Sequence, residues 1–463
     1  MQPLPSAYLE RMQHLLGDQY PAFLAACAEP AVAGLRLNTL KVSPEEFQSI
    51  SPWPLSPLPW SAAGFALPTE AQPGKHPYHA AGLYYLQDPS AMAAAEVLAP
   101  RPGERVLDLA AAPGGKSTHL AALMQNQGLL VTNEIHPQRA WDLAENLERC
   151  GVQMACITNE TSARLAQAWG GFFDRVLLDA PCSGEGMFRK SERARGEWSP
   201  EHVMACASRQ ESILSEAARL VRPGGWLLYA TCTFSAEENE RTIGRFLQAH
   251  LEYALEPPPA QAGFTPARPD WAPGFEAQHL ERALRLWPHR GAPEGHFLAL
   301  LRRLETGEPA RPPEERPARL SAESARLWQD FSQANLNAFS PTAHLAQVGS
   351  YLYALPAGLP GLGSLKTLHP GWWLGTLKKN RFEPSHALAL GLQAGQARHT
   401  LRLGLDDAHL AAYLRGESLP IEQIQAGSAW MLVLAEDHPI GWGKAVQGVL
   451  KNAYPRGLRT TWA

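Results

Sequence analysis

The sequence predicts an α/β protein organised on a doubly wound, largely parallel sheet. Between residues 84 and 301, short apolar runs alternate with helix-length segments, the pattern of strand–helix–strand units. Two of the runs lead into a loop that bears a cysteine. Residues 176–178 run into Asp179, Pro181 and Cys182, and 226–230 into Thr231-Cys232-Thr233. Pro181 cannot donate to a ladder, so the first strand stops there. Open parallel sheets bind ligands at the carboxyl ends of their strands. A carboxylate, Asp179, and two thiols are therefore expected together where chemistry is done. One thiol can be the nucleophile while the other handles a proton. The plainer alternative for either cysteine is a small buried residue after a turn.

A chain of 463 residues suits roughly two to four domains. It is 45% hydrophobic and 19% charged, ordinary for a soluble globular protein. No run approaches the ~20 apolar residues of a membrane span. Met1-Gln2-Pro3-Leu4-Pro5 has neither the basic nor the apolar region of a signal peptide. A cytoplasmic location without a membrane partner is expected. The six cysteines, at 27, 150, 156, 182, 206 and 232, form no C-x-x-C pair, which fits a reducing compartment and free thiols. With no H-E-x-x-H and no paired Cys/His spacing, no metal site is expected. A net charge of −4 argues against a non-specific nucleic-acid coat and leaves room for a local basic groove.

In chain order, 7–16 is amphipathic, and 35–41 alternates polar and apolar residues. Ser43-Pro44-Glu45-Glu46 then opens a helix with a cap and a proline at its first position. Residues 1–75 are expected to form a small α+β unit. Arg36, Asn38 and Lys41 would share one rim of it, as an RNA contact or as a solvated strand face. An Ala-rich helix spans 91–98 and is broken at Pro100-Arg101-Pro102-Gly103. Strands at 105–109, 131–134, 155–158, 176–179, 226–230 and 296–301 alternate with helices at 117–125, 140–149, 201–220 and 237–250, giving a domain over 76–304. Residues 306–319 are rich in proline and charge, so a linker is placed at 305–320. Residues 321–463 read as a β-rich module. Lys378, Lys379 and Arg381 stand near Trp372 and Trp373, and 438–463 holds Lys444, Lys451, Arg456 and Arg459. Basic residues interleaved with aromatics suit RNA backbone and stacking contacts.

The loop Ala110-Ala111-Ala112-Pro113-Gly114-Gly115-Lys116-Ser117 nearly spells a phosphate-binding P-loop. It has Ala110 where that loop needs glycine, and Pro113 removes an N–H from the cradle. A P-loop NTPase is the competing reading. Glu134 ends the second strand 26 residues after Asp108, where an acid accepts hydrogen bonds from both ribose hydroxyls of a nucleoside cofactor. S-adenosyl-L-methionine needs that clamp and no pyrophosphate cradle. A nicotinamide cofactor fits less well, because G-x-G-x-x-G is absent.

Residues 108–117, Asp179-Ala180-Pro181-Cys182-Ser183-Gly184-Glu185-Gly186 and Ala230-Thr231-Cys232-Thr233-Phe234 together resemble the Nop/Sun family of RNA cytosine-5 methyltransferases. Arg36-x-Asn38-Thr39-Leu40-Lys41 and Gln87-Asp88-x-Ser90-x-Met92 match further landmarks. Gly375-x-x-Lys378-Lys379-x-Arg381-Phe382-Glu383-Pro384 and Gly441-Trp442-Gly443-Lys444 resemble the bacterial branch that modifies small-subunit rRNA. The resemblance implies a Rossmann-like class I methyltransferase core, a small α+β N-terminal unit and a C-terminal PUA-like β-rich module. It implies 5-methylcytosine formation in 16S rRNA, free or in the small ribosomal subunit, by a monomer using S-adenosyl-L-methionine. The alternatives within this frame are a tRNA substrate and a non-catalytic assembly factor. Cys232 would attack cytosine C6, Cys182 would help resolve the adduct, and Asp179 would hold the cytosine edge. The cofactor would lie on Ala110 to Lys116, Glu134 and Asp179, with Lys116 holding the acid or the methyl donor. Where the family often has Cys, this chain has Ala110. The adenine contact after the third strand falls among Asn159, Glu160 and Thr161.

Overall fold

The computed structural model describes residues 3–459 except 260–261, 308–309, 311, 313–319, 338, 340, 342–343 and 423–427. Its centre is a ten-stranded sheet. Arg105–Asp108, Leu129–Asn133 and Ala155–Thr158 run parallel in that order to one side. Phe173–Asp179 and Val221–Thr231 continue parallel on the other. The strand order reverses between Arg105–Asp108 and Phe173–Asp179, so a crevice opens at their carboxyl ends beside Asp108 and Asp179. His296–Arg303 pairs antiparallel with Val221–Thr231.

The strands read as uninterrupted apolar runs because both faces are covered. Val176, Leu177 and Leu178 have no exposed surface. Val176 and Leu178 pack with Leu165, Leu214 and Ile243 of the helices Ser162–Trp169, Pro200–Leu220 and Glu240–Ala249. Leu177 faces the other way, with Leu98, Leu120 and Leu143 of Ala93–Leu98, Gly115–Leu123 and Pro137–Arg149. Ser199 caps the 21-residue helix Pro200–Leu220 by accepting from the His202 amide, with Pro200 at its first position.

The N-terminal unit carries the helices Ser6–Leu16, Tyr20–Ala28 and Pro44–Ile50, the last capped by Ser43 as expected, and a four-stranded antiparallel sheet that includes Ala33–Leu37 and Tyr84–Leu86. The expected rim of Arg36, Asn38 and Lys41 is not a rim. Arg36 and Asn38 are 1% and 2% exposed. Arg36 Nη2 donates to Thr118 Oγ1 at 2.7 Å, and its Nη1 to Gln87 Oε1 and the Gly115 carbonyl. Asn38 Nδ2 donates to the carbonyls of Gly82 and Cys150, both at 2.8 Å. Lys41 Nζ donates to the Ala81 carbonyl at 2.6 Å and the Arg149 carbonyl at 3.0 Å. The central domain covers this polar face, and the side chains satisfy backbone carbonyls across the junction.

Most of the 305–320 linker lies outside the described residues. Beyond it come the helix Ala322–Asn335 and two sheets. The first joins His344–Val348, Tyr351–Leu355, Trp372–Lys378 and Arg381–Pro384, and the second has five strands between Thr400 and Asn452. One strand, Thr367–His369, leaves this region and pairs antiparallel with Ala155–Thr158, extending the central sheet. Trp372 is 5% exposed and donates Nε1–H to the Ala387 carbonyl at 3.1 Å. It is core rather than a stacking surface, and only Trp373 of that pair is partly accessible. No described helix is long and apolar enough to cross a membrane.

Candidate active site

Two strands and one loop build the site. Phe173–Asp179 ends in Asp179, and Val221–Thr231 ends one residue before Cys232. Asp179 and Ala230 are register partners. The chain after Asp179 therefore reaches Cys182 beside Cys232, and their sulfurs lie 3.3 Å apart. Both thiols are partly exposed and free. The Cys182 thiol is pushed well above the ordinary thiol range by its contact with Cys232, by burial and by the Cys232 and Glu238 charges. Gly186 follows the loop back past Cys232, and its amide donates to the Cys232 carbonyl at 2.8 Å. A Cβ there would lie 2.7 Å from the Gly295 oxygen and 2.9 Å from that of Cys232, so only glycine allows the approach.

Lys116 Nζ reaches Asp179 Oδ2 at 2.7 Å, which settles its partner as the strand-end acid. Burial works against the Lys116 charge, but Asp179 outweighs it and the ammonium is held above its usual range. Beneath them, Ser117 Oγ donates to Asp108 Oδ2 at 2.6 Å, while Asp108 Oδ1 is buried without a partner. Burial, eased by that hydroxyl, raises the Asp108 carboxyl to about 7.

The loop from Ala110 to Lys116 wraps this end of the sheet. The Ala111 amide donates to the Asn133 carbonyl at 2.8 Å. Arg139 Nη2 holds the Ala112 carbonyl at 2.7 Å, and Asn146 Nδ2 the Pro113 carbonyl at 2.9 Å. Gly114 has φ +110°, the left-handed region that favours glycine. Both glycines of the loop stand close against protein. A Cβ on Gly114 would meet Leu143 Cδ1 at 3.2 Å, and one on Gly115 Tyr85 Cε1 at 3.2 Å.

Glu134 is 3% exposed. Its Oε1 accepts from the His136 amide at 2.9 Å and its Oε2 lies 3.5 Å from Arg139 Nη1. Acceptor capacity remains for a pair of hydroxyls. Of the three adenine-side candidates, Asn159 Nδ2 donates to the Glu134 carbonyl at 2.6 Å. Glu160 Oε1 accepts from the Lys366 amide at 2.8 Å and faces Arg164 at 3.3 Å. Thr161 caps the helix Ser162–Trp169. All three thus have structural partners. The residues present fit a nucleoside cofactor: an acid at the second strand end, a small-residue loop, and a buried Asp108 oxygen without a partner.

Sequence reasoning passed over Glu185 and Glu238. Glu185 is 2% exposed and takes the Trp198 indole N–H at 2.9 Å and the Phe234 amide at 3.0 Å. Glu238 joins the residues that follow the two cysteines. Both acids sit in polar runs with no periodic signal, so nothing in the pattern marks them as buried.

Comparison with known proteins places the whole chain in one family. Residues 4–89 match the family described as the N-terminal domain of 16S rRNA methyltransferase RsmF, and 95–302 that of 16S rRNA methyltransferase RsmB/F. Residues 330–392 match the RsmF first C-terminal domain, and 400–460 the RsmF PUA domain. The chain is 32% identical to ribosomal RNA small subunit methyltransferase F of Vibrio campbellii, over 98% of this chain and 97% of that one. It is 33% identical to the protein of that name from Serratia proteamaculans, over 98% and 96%. Among solved structures, a methyltransferase homolog from Pyrococcus horikoshii is 29% identical with a TM-score of 0.57, covering 65% of this chain and 95% of that one. NSun6 from the same organism, at 22% identity and a TM-score of 0.55, covers 65% and 98% and shares the fold. With the Rossmann-like core, the PUA-type C-terminal region and relatives matched over nearly their whole length, the chain belongs to the RsmF family of 16S rRNA methyltransferases.

Proposed function

We propose that this chain methylates C5 of cytosine in 16S rRNA with S-adenosyl-L-methionine, through a covalent bond between Cys232 Sγ and cytosine C6. The observation that carries this reading is the pair of thiols 3.3 Å apart beside the Lys116–Asp179 pair. The family supplies the reaction class and the substrate. Glu134 and the loop from Ala110 to Lys116, with Asp179, are the residues that hold the cofactor. When bound, it supplies an electrophilic methyl group.

Cytosine C5 is a poor nucleophile. Addition of the Cys232 thiolate to C6 breaks ring aromaticity and makes C5 electron-rich enough to take the methyl group. Asp179 hydrogen-bonds the cytosine edge near N3, and Lys116 fixes the carboxylate's position. Methylated C5 then carries a proton that must leave. Cys182, as base or base-helper, removes it. The C6–S bond breaks, the ring regains aromaticity and Cys232 returns as thiolate. The largest influence on Cys182 is its neighbour Cys232. Once Cys232 is bonded to carbon, that hydrogen bond and charge are gone and Cys182 ionises more readily. Burial and the Glu238 charge continue to oppose that ionisation. The target base must leave its stack to reach this pocket.

The test is methyl transfer from labelled S-adenosyl-L-methionine to 16S rRNA and to assembled small subunits. Wild type should place label on cytosine C5. Cys232→Ala should lower transfer by about 10³-fold or more. Cys182→Ala should accumulate a denaturant-stable protein–RNA adduct. Transfer that survives loss of Cys232 would overturn the covalent reading. Label on tRNA alone would move the substrate, and no transfer on any RNA would favour an assembly role.

A further inference from the structure

The two cysteine loops come from different strands, and one side chain joins them. Glu238 is fully buried. Its Oε2 accepts from the Ser183 amide at 2.9 Å and from Gln210 Nε2 at 2.8 Å, and its Oε1 from the Ser183 hydroxyl and from Thr233 Oγ1 at 3.2 Å. Ser183 follows Cys182 in the chain, and Thr233 follows Cys232. The two hydroxyls also meet each other, 2.9 Å apart. From the strand below, Tyr229 OH donates to the Glu238 carbonyl at 2.7 Å and to Gln210 Oε1 at 3.0 Å.

We propose that Glu238 is the positioning residue of the two-thiol centre: its single carboxylate locks the loop after Cys182 to the loop after Cys232 and thereby sets the separation of the sulfurs. This rests on the reading that the two thiols act on one substrate. A buried carboxylate costs folding free energy that an apolar contact would not. Burial, with Glu185 nearby, lifts this one to about 7 even though Ser183 and Gln210 favour its charged form. A fold that needed only packing here would gain by replacing it. A reaction that needs two sulfurs held to fractions of an ångström has a use for it. Glu238 adds a second effect, since its charge is among those that keep Cys182 protonated.

The experiment compares wild type with Glu238→Ala, Glu238→Gln and Thr233→Val. Diamide closes neighbouring thiols to a disulfide, taking one hydrogen from each sulfur as it is reduced to the hydrazine. Peptide mass mapping reads the Cys182–Cys232 link without any need for activity. Wild type and Glu238→Gln, which keeps acceptor and size, should close at rates within about 3-fold. Glu238→Ala should close ~10-fold more slowly or worse and lose ~10²-fold in kcat, with S-adenosyl-L-methionine affinity unchanged. Closure and kcat at wild-type levels in Glu238→Ala would overturn the proposal. So would a fall of Glu238→Gln and Glu238→Ala together in melting temperature and cofactor binding, the mark of a residue that serves the fold alone. Should Glu238→Ala be insoluble, Thr233→Val carries the test: slower closure upholds the lock and unchanged closure removes it. If wild type methylates no cytosine, the reaction assignment fails while the closure rates still decide the positioning role.

Discussion

Arg36 and Asn38 sit sealed between the N-terminal unit and the central domain with Lys41 half-buried beside them, while Lys378, Lys379 and Arg381 stand exposed on the hairpin formed by Trp372–Lys378 and Arg381–Pro384. The residue types are nearly the same. The sealed set faces backbone carbonyls, the Gln87 side-chain oxygen and the Thr118 hydroxyl, with Arg36 Nε left without an acceptor. In the exposed set, Lys378 and Arg381 share one partly accessible carboxylate, with Glu383 4.0 Å from Lys378 and 2.7 Å from Arg381. Cations that face carbonyls in a largely buried junction act as braces. Cations around one solvated acid are weakly held, and their charge stays available to a phosphate backbone.

The largest expected effect that would break this contrast comes from Arg36→Met. It strips the Gly115 carbonyl and Thr118 of their donor at the head of the cofactor loop. Stability should fall by ~3 kcal/mol or more, read by denaturant titration, and cofactor affinity should fall with it. Asn38→Ala comes next at ~2 kcal/mol, since two buried carbonyls lose their partner. Alanine at Lys378, Lys379 and Arg381 together should leave the denaturation midpoint nearly unmoved. It should instead flatten the salt dependence of RNA binding by about 2 in log–log slope, at ~0.7 for each phosphate that is no longer neutralised. A destabilised triple variant with an unchanged slope would reverse the roles assigned here.

Lys41 sharpens the contrast by pH. Burial, with Arg149 close by, pulls its ammonium down to about 7. The unfolded chain keeps that proton up to the ordinary lysine range, so between the two values unfolding takes up a proton and stability rises with pH. Lys41→Met should remove that rise, visible as parallel melting temperatures at pH 7.5 and 9.5, whereas Lys379→Met should leave it in place.

The doubly wound sheet was legible because each parallel strand is apolar on both faces, and Asp179, Cys182 and Cys232 could be placed together because the first ends such a strand and the cysteines follow two of them. Lys116 could be placed near Asp179 by its loop, though its choice of partner needed the structure. The braces at Arg36 and Asn38 were not legible. An alternating strand looks the same whether its polar face meets water or a neighbouring domain. Trp372 failed for the related reason that an aromatic beside basic residues has no mark of burial. The strand Thr367–His369 is too short to carry a period at all.

That short strand has a consequence in the order of synthesis. A chain that has emerged only as far as Arg303 contains the Cys182–Cys232 centre, the cofactor loop and Glu134, yet Ala155–Thr158 still lacks its outer partner. The Lys366 amide that engages Glu160, and the carbonyl that engages the Asn159 amide, lie more than sixty residues further on. Until they arrive, the edge of Ala155–Thr158 next to Asn159 and Glu160 is bare and open to pairing with another chain. The C-terminal region thus covers an edge that the core by itself would leave bare.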